Sequence, residues 1–398
     1  MATLRKLAHR VDRITSFHVM ALLEQAQQLE QQGRDIIHLE VGEPDFATPE
    51  PVVRAARAAL AAGQTRYTPA QGLPALREAV AAFYERRFGV SLAPERVVIT
   101  PGASGAIGLV SGLLFDPGDE VLLSDPGYPC NDNFLRLVGA HPRRVPVTAA
   151  TAYQLSPALV REHWRSATRA AWVASPSNPT GTLIGAEDMA AIKQAVDQQK
   201  GALLVDEIYN SLTYDQAPAT AVGLPDTAAS LFVINSFSKY FNMTGWRLGW
   251  LVAPAEHVAD LAKLAQNFYL AAPTVAQHAA LAALSDDCID IYEARRLTLA
   301  RRRDFLLRQL PELGIGVPCV PQGAFYLYCD VSALTDDSFS FCQRLLQQAG
   351  VAATPGIDFG EYRAREHIRI AYTADESRLQ QALERIAGFI RQEAAGEV

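Results

Sequence analysis

Five short segments of this chain set polar or ionisable residues at the end of apolar runs or in tight turns after them. The richest, SFSKYFNMTGWRLGW at 236–250, holds Ser236, Ser238, Lys239 and Arg247. A lysine at the end of a buried strand can form a Schiff base when desolvation or a cationic neighbour lowers its pKa. Two hydroxyls and a guanidinium beside it suit a phosphate dianion, because arginine offers paired donors. Taken alone, S-x-S-K is equally a polar loop after a strand. DEIY at 206–209 ends another run. Asp206 could pair with a protonated ring nitrogen and hold it positive, making the ring an electron sink. Tyr209 could reach a hydroxyl on the same ring. In isolation Asp206 is better explained as a cap on the next helix.

PSNPTG at 176–181 offers Asn178 as a hydrogen-bond donor to that same ring oxygen, although Asn-Pro and Thr-Gly are common turn chemistry. TPGASGAI at 100–107 is a glycine-bearing strand-to-helix turn, where backbone amides and the helix dipole make an anion site. It is neither G-x-G-x-x-G nor a P-loop, so a dinucleotide or nucleoside triphosphate is not indicated. DPGYP at 125–129 places Tyr128 where it could stack on a planar ring, though a lone tyrosine is more often packing. Each signal is modest. One ligand requires all of them together: a phosphate, a stacked pyridine ring with a phenolic oxygen, a ring nitrogen and an aldehyde describe pyridoxal 5'-phosphate (PLP).

The elements that would position these residues are short β-rich runs alternating with helical patterns. The runs are RVVIT (96–100), EVLLS (120–124), AAWVASP (170–176), ALLVDE (202–207), LFVINSFS (231–238) and RLGWLVAP (247–254). Several are apolar almost throughout, as strands covered on both faces should be. Alternation of this kind implies an α/β fold with a mostly parallel sheet and helices on both sides. Ligands of such sheets gather at the carboxyl ends of the strands. After about residue 286 the texture changes to a long charged helix followed by the strand-like GAFYLYCDV and HIRIAYT. This predicts a large cofactor-binding domain at 46–285 and a smaller α+β domain built from 1–45 and 286–398.

Composition narrows the function from outside. The 398 residues carry a net charge of -7 with the signs well mixed, which disfavours a nucleic-acid partner. No run of about 18 apolar residues appears, so no membrane association is expected. The N-terminal stretch has no continuous apolar core, so a secretory signal is not expected. Five cysteines, none paired at metal-ligand spacing, point to reduced thiols in a cytoplasm and to no metal.

The set of segments resembles the class I/II aminotransferase family, the aspartate aminotransferase-like enzymes of PLP fold type I. The match runs through GEPDF at 42–46, Tyr67, Gly102 to Ser104, Tyr128, SNPTG at 177–181, DEIY, SFSK, MTGWRLGW at 243–250, GAFY at 323–326 and HIRIAYT at 367–373. The resemblance implies a seven-stranded, mostly parallel sheet in the large domain. It implies that Lys239 carries the cofactor and shuttles a proton between substrate Cα and cofactor C4′. Asp206 would pair with the pyridine nitrogen, Asn178 and Tyr209 with the ring hydroxyl, and Tyr128 would stack on the ring. Ala103, Ser104, Ser236, Ser238 and Arg247 would hold the phosphate, and Arg369 would clamp the substrate carboxylate. Gly42 matches a position whose backbone approaches the substrate. Tyr67 matches one that reaches a neighbouring subunit's phosphate, implying a homodimer with shared sites.

Departures bear on substrate choice. Ser104 stands where some aspartate-using relatives have a lysine, Phe17 near the expected pocket mouth is bulky and apolar, and Tyr128 replaces a tryptophan of other branches. These favour a neutral or aromatic L-amino acid, with glutamate still possible as a donor, transferring to a 2-oxo acid in a ping-pong sequence. A PLP-dependent C–S lyase acting at Cβ fits the same residues, because reaction choice depends on bond orientation and leaving group. A non-catalytic PLP-binding regulator would bring a DNA-binding domain that is not read in these residues, and the intact lysine, aspartate and arginine set argues against it.

Overall fold

The six apolar runs form strands, and the computed structural model, which describes residues 8–14, 17–224 and 230–395, adds a seventh. Residues 1–7, 15–16, 225–229 and 396–398, which belong to the expected domains, lie outside the described residues. The large sheet contains β2 (Val97–Thr100), β3 (Glu120–Asp125), β4 (His141–Pro146), β5 (Thr168–Ala174), β6 (Ala202–Asp206), β7 (Leu231–Ser236) and β8 (Gly249–Val252), after the short β1 (Ile37–His38). Its order is β2-β8-β7-β6-β5-β3-β4. The strand that the sequence reading lacked is β4, HPRRVP, which has no apolar run to announce it. It lies at the sheet edge, where Pro142 and Pro146 cost no ladder bonds on the open side.

Alternate residues of the central strands face different cores. Leu203, Val205, Leu231 and Val233 join one apolar cluster, while Leu204, Phe232 and Ile234 join another. A sheet buried on both faces must select apolar residues at every position, which is why periodicity is absent from these runs. β8 is antiparallel to both neighbours, while the other pairings not involving it are parallel. The start of β8 therefore lies at the same rim as the ends of the other strands. That reversal explains how Arg247, which precedes its strand, can share a site with residues that follow theirs.

A second sheet holds β11 (Thr354–Pro355), β12 (His367–Ala371) and β9 (Tyr326–Asp330), antiparallel in that order. β1 pairs in parallel with β10 (Val351–Ala352), so residues 37–38 join the C-terminal part of the chain. The long charged segment forms one helix, Asp286–Gln309. Among the described residues no helix is long and apolar enough to cross a membrane.

Candidate active site

Lys239 follows β7 on a segment braced by aromatic packing. Phe237 and Phe241, on either side of it, contact each other at 5.0 Å between ring centroids, and Phe237 lies 4.9 Å from Trp250. Burying rings of this size stabilises by roughly 1.5–3 kcal/mol each, so the backbone around the lysine is held in place. Its Nζ donates to the carbonyl of Gly42 at 2.6 Å. Burial, with Arg369 as the next cause, lowers the Lys239 pKa to about 8.

Asp206, at the end of β6, is buried and accepts from the amide of Ile208 at 3.2 Å. Desolvation pushes its pKa up to about 6, against the opposing pull of that amide and of Lys239. Both groups line one cavity of about 200 Å³, together with Gly42, Tyr128, Asn178, Tyr209, Tyr326 and Arg369. Tyr209 and Tyr326 share a hydroxyl–hydroxyl bond of 2.8 Å. Burial raises the pKa values of Tyr128, Tyr209 and Tyr326, which keeps all three as phenols able to donate.

Arg369, on β12, forms another wall. Its Nη1 donates to Asn178 Oδ1 at 2.9 Å, which leaves the Asn178 Nδ2 as that amide's donor. Its Nη2 donates to the carbonyl of Glu40 at 2.5 Å and to Thr354 Oγ1 at 3.2 Å. Tyr326 and Phe359 present rings 4.3 and 4.9 Å from the guanidinium carbon. Its Nε is buried and has no hydrogen-bond partner among the described residues.

The strand rim also forms a small polar cradle. Ser236 Oγ accepts from the amide of Ser238 at 3.0 Å, and Arg247 Nη1 lies 3.5 Å from Ser238 Oγ. Arg247 adopts a left-handed conformation with φ of 52°, a strained choice for a residue with a side chain. Gly102 has φ of +69°, and a Cβ there would come within 2.6 Å of Arg247 Nη2. The helix Gly102–Leu114 begins at this point, so the amides of Gly102, Ala103 and Ser104 have no partners within the helix.

Two expected residues lie elsewhere in this chain. Tyr67 is 83% exposed. Phe17 lines a separate cavity of about 370 Å³, alongside Arg144, Asp358 and Glu361. Conversely, Tyr326, Thr354, Glu40 and Phe359 contact the site without having been singled out from the sequence. Tyr326 is the last residue of GAFY, so a signal existed. Thr354 arrives only through its register opposite Arg369 across β11 and β12.

Comparison with known proteins places this geometry in context. A family model described as aminotransferase class I and II matches residues 34–386. The chain is 38% identical to a valine–pyruvate aminotransferase of Mycobacterium tuberculosis, over 95% of this chain and 97% of that protein. It is 35% identical to an aspartate/prephenate aminotransferase of Thermus thermophilus, over 96% and 98% respectively. A crystal structure of an aminotransferase from Mycobacterium tuberculosis superposes with a TM-score of 0.93 at 37% identity, covering 98% of this chain and 100% of that one.

Proposed function

The chain belongs to the class I and II aminotransferases, and from that premise we propose that it moves an amino group between a neutral or aromatic L-amino acid and a 2-oxo acid, with PLP as its cofactor and in ping-pong order. The observation that carries this is the convergence on one cavity of the Lys239 amine, the Asp206 carboxylate and an arginine whose buried Nε has no partner among the described residues. The residues present fit PLP. The Ser236, Ser238 and Arg247 cradle, with the Ala103 and Ser104 amides, suits its phosphate. Asp206 suits its ring nitrogen, Asn178 Nδ2 and the Tyr209 hydroxyl its phenolic oxygen, and Tyr128 its ring face. When bound, the group supplies an electron sink for the charge that develops at the substrate Cα.

The chain's own residues then divide the work. Lys239, whose ammonium is disfavoured by burial, sheds its proton at a much lower pH than an ordinary lysine, which readies it to attach a carbonyl carbon and afterwards to accept and return the Cα proton. Asp206 regains the charge that its burial resists once a cation stands opposite it. Arg369 takes the substrate α-carboxylate through its free Nε and so fixes which Cα bond faces Lys239. The Gly42 carbonyl holds the Lys239 amine at the cavity wall until that attachment is made. Among the described residues lining this cavity, Lys239 and Arg369 are the cations, which favours a substrate whose side chain carries no second carboxylate. Glutamate remains in scope as a donor, because a partner subunit could supply a further cation.

The remaining assignments follow the same reading. Residues 46–285 form the large domain, and 1–45 with 286–398 the small one, supported by the pairing of β1 with β10. A homodimer is supported by exposed Tyr67, Phe268 and Leu270; the Thr274 Oγ1 bond to the Arg66 carbonyl ties the segment after Leu270 to the one that carries Tyr67. Tyr67 then reaches the neighbour's phosphate. A cytoplasmic setting is supported by the five free cysteines.

The test is to add single L-amino acids, without oxo acid, to the cofactor-loaded protein while recording its visible spectrum. Valine-like or aromatic amino acids should bleach the band near stoichiometrically, and a 2-oxo acid should restore it. Continuous release of ammonia with an unbleached band would overturn amino transfer as the reaction of this site. A response confined to aspartate would overturn the substrate class.

A further inference from the structure

The turn that presents Tyr128 to the cavity also grips a loop from the C-terminal part of the chain. Asp125, the last residue of β3, is 4% exposed, and its carboxylate accepts from the amides of Glu361 and Tyr362 at 3.1 and 3.2 Å. The amide of Gly127 donates to the carbonyl of Phe359 at 2.8 Å. Arg144 Nη1 donates to that same carbonyl at 2.6 Å, while its Nε holds Asp132 at 2.7 Å. A Cβ at Gly360 would fall 1.7 Å from Asp125 Oδ1, so this grip can close only on a glycine. What it fixes is the Phe359 ring, 3% exposed, against the Arg369 guanidinium at 4.9 Å.

We infer that Phe359 is a positioning residue for the substrate-carboxylate arginine, and that Asp125 and Arg144 hold it in place by gripping the backbone of residues 359–362. This rests on Arg369 being the carboxylate clamp. Asn178, Glu40 and Thr354 engage only the two terminal nitrogens of Arg369. Those bonds hold one edge of the guanidinium, and Tyr326 and Phe359 pack on it and restrict its tilt about that edge. A ring against a desolvated guanidinium both attracts it and limits its tilt. The orientation of the unpartnered Nε therefore depends on a ring held by the turn that carries Tyr128. The ring-contact wall and the carboxylate wall are thereby registered to each other through one loop.

Steady-state kinetics of the full-length, cofactor-loaded protein test this. Phe359→Leu keeps apolar bulk but removes the ring, and should raise KM for amino acid and oxo acid ~5- to 30-fold. Its kcat should stay within about threefold of wild type, with cofactor affinity unchanged, because no reacting atom has been touched. Phe359→Tyr restores the ring and should return KM to near wild type. Asp125→Asn turns an amide donor toward backbone amides and should raise KM in the same sense, ~3- to 10-fold. If Phe359→Leu leaves KM unchanged, or if Phe359→Tyr is as impaired as Phe359→Leu, the inference falls. Arg369→Lys in the same assay separates the two layers. An unchanged KM there would sink the carboxylate clamp itself, whereas a raised KM beside a silent Phe359→Leu would sink only the positioning role. Should Asp125→Asn fail to fold, the Phe359 pair decides alone.

Discussion

Along the helix Asp286–Gln309, buried arginines are fully provided for. Arg302 makes a two-pronged contact with Asp45 at 2.9 and 2.8 Å and a third bond to the Thr373 carbonyl. Arg303 meets Asp215 at 2.8 Å and the Pro321 carbonyl at 3.0 Å. The Phe46 ring lies 5.3 Å from Arg295 and 5.2 Å from Arg302. At the cavity the reverse holds. Among the described residues Lys239, Asp206 and Arg369 form no ion pair, and the pKa values of Lys239 and Asp206 are displaced in the directions that disfavour charge. The helix spends its charges on fastening chain to chain, whereas the cavity keeps its charges without an ion-pair partner among the described residues. Paired burial is a structural feature, and unpaired burial in a concave site marks function.

Breaking each region should therefore fail differently. Lys239→Ala should remove turnover altogether, by more than about a thousandfold, since it deletes both the attachment point and the proton carrier. It should leave secondary structure intact, and borohydride treatment should no longer fix cofactor to the peptide containing position 239. A fully active variant would end the lysine assignment.

Arg369→Ala and Arg302→Ala sharpen the contrast between a binding charge and a fastening one. Arg369→Ala should weaken amino-acid binding by ~2–5 kcal/mol, read as KM, with cofactor retention largely kept. Arg302→Ala should do the opposite. It should cost about 2–4 kcal/mol in denaturant unfolding, because Asp45 and the Thr373 carbonyl lose their donor, while KM in the surviving folded protein moves little. If PLP retention collapsed in Arg369→Ala and KM held, Arg369 would belong to the phosphate cradle instead.

This division was only half legible in the sequence. The cavity side could be read where its members end or follow an apolar strand, because a two-faced core writes itself as continuous apolar runs. Lys239, Asp206 and Asn178 all end up lining one cavity for that reason. The fastening side is tertiary. Nothing in RRLTLARRRDF marks Arg302 as the partner of Asp45, 257 residues away, rather than as a solvated face. β4 escaped because an edge strand tolerates prolines and needs no apolar run, and the reversed β8 is invisible without pairing. Thr354 and Phe359 share that fate, since strand register and a loop grip bring them to Arg369.

The finest probe of the comparison is pH applied to the cofactor-free protein. A lysine whose pKa falls from 10.5 to about 8 on folding binds fewer protons in the native than in the unfolded state between those values, so stability rises with pH across that window. Below about 8 the full cost of burying the ammonium is borne. Lys239→Met, of similar shape and no charge, should therefore be more stable than wild type at pH 7 by on the order of 1–3 kcal/mol. Part of the gain is returned because Asp206 loses the cation that lowers its pKa. The advantage should shrink as pH rises from about 8 towards 10.5, above which wild-type lysine is neutral in both states. Arg302 has no such window, since its guanidinium stays charged throughout. Chemical denaturation of both proteins at pH 7 and pH 10 checks this. A Lys239→Met advantage that persists undiminished at pH 10 would show that the cavity penalises the lysine's shape rather than its charge, and the contrast with the arginine helix would lose its electrostatic basis.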